Sequence, residues 1–216
     1  MSDTQTLAPD ATPGAAEQPR RRPRPGERRE QILQTLAAML EQPGAERITT
    51  AALARQLGFS EAALYRHFAS KAQMFEGLID FIETSVFTLV RQIAALEEGQ
   101  GAEDGARRAA RIVAMVLQFG ERNPGMVRVM VGDALVLEHE RLQQRMNLFF
   151  DKLEASLRQC LRGALQVGGD AAPTAAAQVR AALMVDLLRG RLQRYARTGF
   201  KRQPTEQLEA TLALLA

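Results

Sequence analysis

The stretch from Thr49 to Phe75, TTAALARQLGFSEAALYRHFASKAQMF, constrains this chain more than any other part of it. It reads as two short helices around a tight turn, with a third helix starting just after. Thr49 and Thr50 are N-cap residue types, and Ala52, Leu53, Ala54 and Leu57 follow as a small apolar face. Gly58 falls where a helix-ending residue must take positive φ, which glycine adopts with no Cβ in the way. Ser60 caps the next helix, and Glu61 in its first turn suits the positive end of the helix dipole. Leu64 and Phe68 share a face that packs back on Leu53 and Leu57. Ala62, Ala63, Tyr65, Arg66 and His67 are left on the other sides. That is the pattern of a helix-turn-helix whose second helix is small and polar enough to enter a major groove. An ordinary helical hairpin in an all-α core is the competing reading. The glycine between two capped helices, with Tyr65, Arg66, His67 and Lys71 exposed around it, favours DNA.

The rest of the composition agrees with helices. The 216 residues include no Trp, two Tyr and nine Phe, so the aromatic content that strands favour is scarce. No apolar run reaches the length of a membrane span and no signal-like core opens the chain, so a cytoplasmic protein with no membrane partner is expected. The single cysteine, Cys160, has no internal partner for a disulfide and lies in an apolar helical pattern, where a buried thiol is expected. A net charge of +3 points only weakly to nucleic acid, but its distribution says more. Arg20, Arg21, Arg22, Arg24, Arg28 and Arg29 crowd just ahead of the first helix.

Taken in order, the chain predicts an all-α fold of about nine helices. Residues 1–26 are a Pro/Arg-rich tail without apolar periodicity and are expected to be disordered. Their arginines are either a phosphate-tracking arm or a solvated linker. Helix 1 is expected over Glu27 to Glu41, ended by Pro43 and Gly44, and residues 27–70 then form the helix-turn-helix domain. A Ser70–Gln73 capping box starts a long helix from Lys71 to about Leu96. Phe75, Ile79, Ile82, Val86, Leu89 and Ile93 form its stripe, with Phe81 and Phe87 off it as extra core or an apolar surface awaiting a partner. A break from Glu97 to Gly105 ends that helix.

Helix 5 is expected over Ala106 to Glu121, stopped by Asn123-Pro124-Gly125. A short helix follows to about Val131, then a long one from Asp133 to Leu165. After a loop marked by Gly168, Gly169 and Pro173, helix 8 runs from Ala175 to Thr198, and Thr205 caps a last helix. Residues 71–216 make the larger domain. Its two long C-terminal helices are apolar on more than one face, which suits a four-helix homodimer interface or a thicker monomer core; the palindromic habit of helix-turn-helix proteins favours the dimer.

Chemistry is harder to find. The sequence holds no Gly-rich phosphate loop, no paired Cys or His at metal spacing and no Ser flanked by glycines, so neither enzyme nor cofactor nor metal is expected. The polar cluster Glu121, Arg122 and Asn123 at a helix end either caps and solvates or rims a groove.

The run RITTAALARQLGFSEAALYRHFASKAQMF, Arg47 to Phe75, resembles the DNA-binding domain of the TetR family. FEGLIDFIE (Phe75 to Glu83), FGERNPGMVRVMVGDALVLEHERLQQRMN (Phe119 to Asn147) and Phe200 to Thr205 extend the resemblance to that family's nucleoid occlusion branch, over nearly everything past residue 27. The resemblance implies a nucleoid-associated homodimer that binds palindromic double-stranded DNA, and whether dimers assemble to higher order on it stays open. It further implies binding to the C-terminal tail of the cell-division protein FtsZ, opposing Z-ring assembly over the nucleoid. By motif, Thr49, Ser60, Ala62, Ala63 and Tyr65 face DNA, His67 and Lys71 hold phosphates, and Thr50, Glu61 and Arg66 complete the set. The FtsZ tail is expected between helices 4 and 5, against Phe81, Met115, Gln118, Arg122 and Asn123. Gln118 stands where the branch has glycine, and Leu89 where it has arginine. The alternative function is a ligand-responsive TetR-type repressor with a small-molecule pocket among helices 4 to 8.

Overall fold

In the computed structural model, residues 26–42, 48–95 and 102–214 are described, and every regular element among them is helical. The helices are α1 Glu27–Leu40, α2 Thr50–Leu57, α3 Glu61–Tyr65, α4 Lys71–Ala95, α5 Ala102–Arg122, α6 Pro124–Met130, α7 Glu140–Val167, α8 Pro173–Arg197 and α9 Leu208–Ala213. A 3-10 turn, Asp133–Leu135, separates α6 from α7. The expected disorder of the arginine-rich tail, the Pro43-Gly44 stop and most of the Glu97 to Gly105 break fall outside the described residues.

One continuous apolar core runs from Ile32 in α1 to Leu212 in α9. Ile32, Leu36 and Leu40 of α1 join Leu53 of α2, Leu64 of α3 and Phe68 beneath the helix-turn-helix. Met74, Leu78 and Ile82 of α4 carry that core onward to α5. Helix α5 is central, packed on α4, α7 and α8, and its Ile112, Val113, Val116 and Leu117 have no exposed surface. The small three-helix head therefore shares its interior with the larger body, as its size requires.

Four expected boundaries are corrected. Gly105 lies inside α5, because that helix touches α7 so closely that a Cβ at Gly105 would stand 2.5 Å from the Cys160 carbonyl oxygen. The long helix expected from Asp133 starts at Glu140 instead. Gly132 takes φ 86 to open the 3-10 turn, and His139, in extended conformation, accepts the Arg141 N–H through Nδ1 at 3.2 Å. Leu135 is buried in the turn, and its spacing to Leu142 imitates a helix. Pro173 is the first residue of α8 and not a loop residue, since proline at N1 lacks an N–H that would have no partner anyway. Thr205 does not cap α9: its hydroxyl and its N–H both donate to Glu121 Oε1, and α9 begins at Leu208 after Gln207 at φ 52.

The C-terminal segment is strapped down by Arg191 of α8. Its Nη1 donates to the carbonyls of Pro204 at 2.8 Å and Glu206 at 2.6 Å, and Nη2 to Thr211 Oγ1 at 2.7 Å. Burial, with Arg194 nearby, lowers the pKa of this guanidinium, and Glu206 partly offsets them. Cys160 is buried, and burial pushes its thiol pKa up, which makes it a poor nucleophile.

Candidate nucleic-acid interface and partner groove

The helix-turn-helix is built from local signals. Thr49 Oγ1 accepts the Ala52 N–H at 3.1 Å and starts α2. Gly58 at φ 68 closes it, with the Phe59 N–H on the Ala54 carbonyl and the Gly58 N–H on the Arg55 carbonyl, the two bonds of a Schellman turn. Ser60 Oγ then accepts the Ala63 N–H at 3.2 Å and starts α3. Thr49→Ala is expected to cost about 1 kcal/mol of folding stability by losing that cap, measurable by urea denaturation.

Around these caps, Thr49, Ser60, Ala62, Tyr65, Arg66 and His67 are exposed, Ala63 is half-buried, and Leu64 and Phe68 are buried behind them. Helix α3 is shorter than expected. It ends at Tyr65, so His67 sits in the following turn, where its N–H donates to the Leu64 carbonyl. Thr50 and Glu61 satisfy each other, the Thr50 hydroxyl donating to Glu61 Oε2 at 2.7 Å, which fixes α2 against α3. Arg28 and Arg29, in the first turn of α1, lie over the rings of Phe59 and Phe68 at 4.8 and 4.5 Å. Both cations thus belong to the head's own surface.

Lys71, the first residue of α4, is bound by the Glu138 carboxylate from the loop before α7. Further along the same two helices Arg141 pairs with Glu76 at 2.8 Å, and Arg145 reaches Asp80 and Glu83 at 2.5 Å each. This ladder ties the start of α7 to the helix that carries the head. Burial opposes the charge on Arg145, but its bonds to Glu83 and Asp80 outweigh that and raise its pKa.

Two of the five expected partner residues, Phe81 and Asn123, line one cleft. A cleft of about 300 Å³ opens between α1, α4 and α6, lined by Leu33, Ala37 and Ala38 of α1, Leu78 and Phe81 of α4, and Asn123 and Met126, with Glu30 and Glu41 among its polar groups. Phe81 is 47% exposed there, its ring 6.2 Å from that of Phe119, and Asn123 Nδ2 donates to the Phe119 carbonyl at 2.8 Å. Met115, Gln118 and Arg122 follow one face of α5 and do not line this cleft. Helix α6 turns back on α1. A Cβ on Gly125 would lie 2.1 Å from the Ala37 carbonyl oxygen. Sequence reading missed the whole α1 wall, since Leu33 and Ala37 continue the stripe of α1 and read as ordinary core.

The outer faces of α7 and α8 are also informative. Val179 and Leu183 of α8 are 61% and 48% exposed, half-buried Leu187 continues their stripe, and Leu148 of α7 is 49% exposed. Val179, Leu183 and Leu148 are exposed on the outside of their helices, while Leu187 at the inner end of the stripe still packs against the core.

Comparison with known proteins follows this division. The family described as bacterial regulatory proteins, tetR family, matches residues 32–78, and the tetracyclin repressor-like, C-terminal domain of SlmA-like type matches residues 103–216. The nucleoid occlusion factor SlmA of Aliivibrio fischeri (strain MJ11) is 47% identical over 195 residues, 90% of this chain and 96% of the relative. The chain belongs to the SlmA branch of the TetR family. SlmA of Vibrio cholerae (strain N16961) is 46% identical over 190 residues, covering 88% and 94% of the two chains. The TetR-family regulator PfmR of Thermus thermophilus superposes with a TM-score of 0.67 at 19% identity, over 87% of this chain and 94% of its own. The TetR fold is thus shared widely, whereas the sequence of the body is shared within the SlmA branch.

Proposed function

We propose that this chain is a nucleoid occlusion factor: a homodimer that reads palindromic chromosomal sites with its helix-turn-helix and, on DNA, holds the C-terminal tail of FtsZ. The observation that carries the reading is the 47% identity to SlmA along both head and body, where TetR relatives of other function share only the fold. Residues 27–70 act as the reading head and 71–216 as the output body. Short Ser60, Ala62 and Ala63 approach base edges, Thr49 and Tyr65 face the DNA beside them, and His67 and Lys71 take phosphates, with Thr50, Glu61 and Arg66 around the same face. The α8 stripe of Val179, Leu183 and Leu187 supports pairing of two copies through α7 and α8. Two heads then reach two half-sites.

For the tail, Phe81 and Asn123 offer an apolar ring and a polar anchor at the mouth of the cleft. Arg122, next in the chain to Asn123, is exposed and suits acidic peptide groups. A small-molecule-responsive repressor is the less favoured reading. Between α4, α5 and α7 the space is filled by Ile82, Val86, Val113, Leu117, Phe149 and Leu153, all without exposed surface.

Fluorescence anisotropy of a labelled FtsZ tail peptide tests the output. Specific DNA should tighten its binding, and Phe81→Ala should weaken it about tenfold, as expected for loss of an aromatic anchor. Absence of peptide binding both with and without DNA would sink the reading.

A further inference from the structure

Glu138 has no part in the roles assigned above, yet it holds one of the residues that does. Its side chain is 9% exposed, whereas that of Lys71 keeps 29%. A third group arriving from solvent can therefore reach the lysine, while the glutamate is largely shielded. The other rungs of the ladder put their acids, Glu76, Asp80 and Glu83, on α4 and their arginines on α7. Only the top rung is reversed, with its cation on the helix that follows the reading head. The Lys71 ammonium also lies 5.7 Å from the Phe75 ring centroid, so the cation has a resting place on its own helix.

From this arrangement we infer that Glu138 is a positioning residue for DNA binding, one that restrains Lys71 and competes with a DNA phosphate for it. The inference rests on the reading of Lys71 as a phosphate contact. A carboxylate bound to the ammonium cancels the charge that would otherwise displace a counterion from the duplex, so each half-site gains less than a free lysine would give. Lysine presents three N–H donors on a flexible stem, which lets a phosphate first share the ammonium and then draw it from the carboxylate. Glu138 in effect sets how tightly and how salt-dependently the head binds.

The test is a double-mutant cycle on the full-length chain: wild type, Lys71→Gln, Glu138→Gln and the pair, titrated onto a mapped genomic site at several salt concentrations. Glu138→Gln keeps the shape and an acceptor oxygen but removes the charge. It should tighten binding by about threefold to tenfold and steepen the dependence of log K on log salt by about one unit per freed lysine. In the Lys71→Gln background the same change should have less than about a twofold effect, since the group it frees is gone. Glu138→Asp keeps the charge and withdraws it by one methylene, and it should shift affinity the same way by less. It serves as the reading if Glu138→Gln lowers the melting temperature. Unchanged or weaker binding by both folded Glu138 variants overturns the inference, and so does tightening of equal size in the Lys71→Gln background, which would mark a general field effect. If Lys71→Gln alone alters neither affinity nor salt slope, the phosphate reading of Lys71 fails first, and the inference falls with it.

Discussion

With Val179 and Leu183 both changed to aspartate, the chain is expected to stay folded, to run as a monomer where the proposed dimer would form, and to lose affinity for a palindromic site by about two orders of magnitude or more. Both side chains point away from the core, so the substitution removes nothing from the interior of one protomer. Between two copies of α8 it places four carboxylates where apolar surface would meet, and burying unpaired charge there costs several kcal/mol. The loss on DNA follows from geometry. Two linked heads meet their second half-site at an effective concentration in the millimolar range, and a monomer forfeits that advantage while each head keeps its own contacts. Light scattering after size exclusion reads the first effect, and anisotropy on a full palindrome beside a single half-site reads the second. A variant that remains dimeric places the interface elsewhere. One that loses the half-site as well has damaged the head.

How much of this could be read from the chain alone depended on the range of the interactions. Thr49, Gly58 and Ser60 act on atoms within a few residues of themselves, so the caps and turn of the head were legible before any fold was known. The apolar stripe of α4 was legible for the same reason, since burial imposes the helical period on it, except at Leu89, which is 40% exposed while its neighbour Val90 is buried. Misreadings fell where a partner distant in sequence decides. Gly105 looked like a breaker because glycine usually is one; only the close approach of α7 gives it another purpose. Thr205 looked like a cap until Glu121 claimed its hydroxyl. Lys71 read as exposed because Glu138, which pairs with it, is far along the chain. Phe81 and Asn123 stood out as an off-stripe aromatic and a polar residue before proline, and both line the cleft. The α1 side opposite them, with Leu33 and Ala37 on the stripe and Glu30 and Glu41 at its edges, becomes a wall only because α6 is pressed against α1.

That pressed contact makes the last expected result. Gly125→Ala should lower folding stability by about 2–3 kcal/mol, in the upper part of the range for overpacking a core. For a chain of this size that is a fall in melting temperature of about 5–10 °C. The obstacle is backbone: the new Cβ would stand 2.1 Å from the Ala37 carbonyl oxygen and 3.0 Å from its carbon, with Glu41 Cγ at 3.3 Å. No rotamer change relieves it, so α6 must move off α1. Met126, which follows Gly125 and lines the cleft, moves too, and the mouth shaped by Ala37, Ala38 and Phe81 loses its form. The caps of α2 and α3 are made within the head and are untouched. Tail-peptide binding should therefore fall by a larger factor than half-site DNA binding, and the two titrations on one preparation measure the ratio. Equal losses would mean that α6 supports the head as much as the cleft. A stability change below about 0.5 kcal/mol, the level of an ordinary surface substitution, would mean that α1 and α6 can part at little cost.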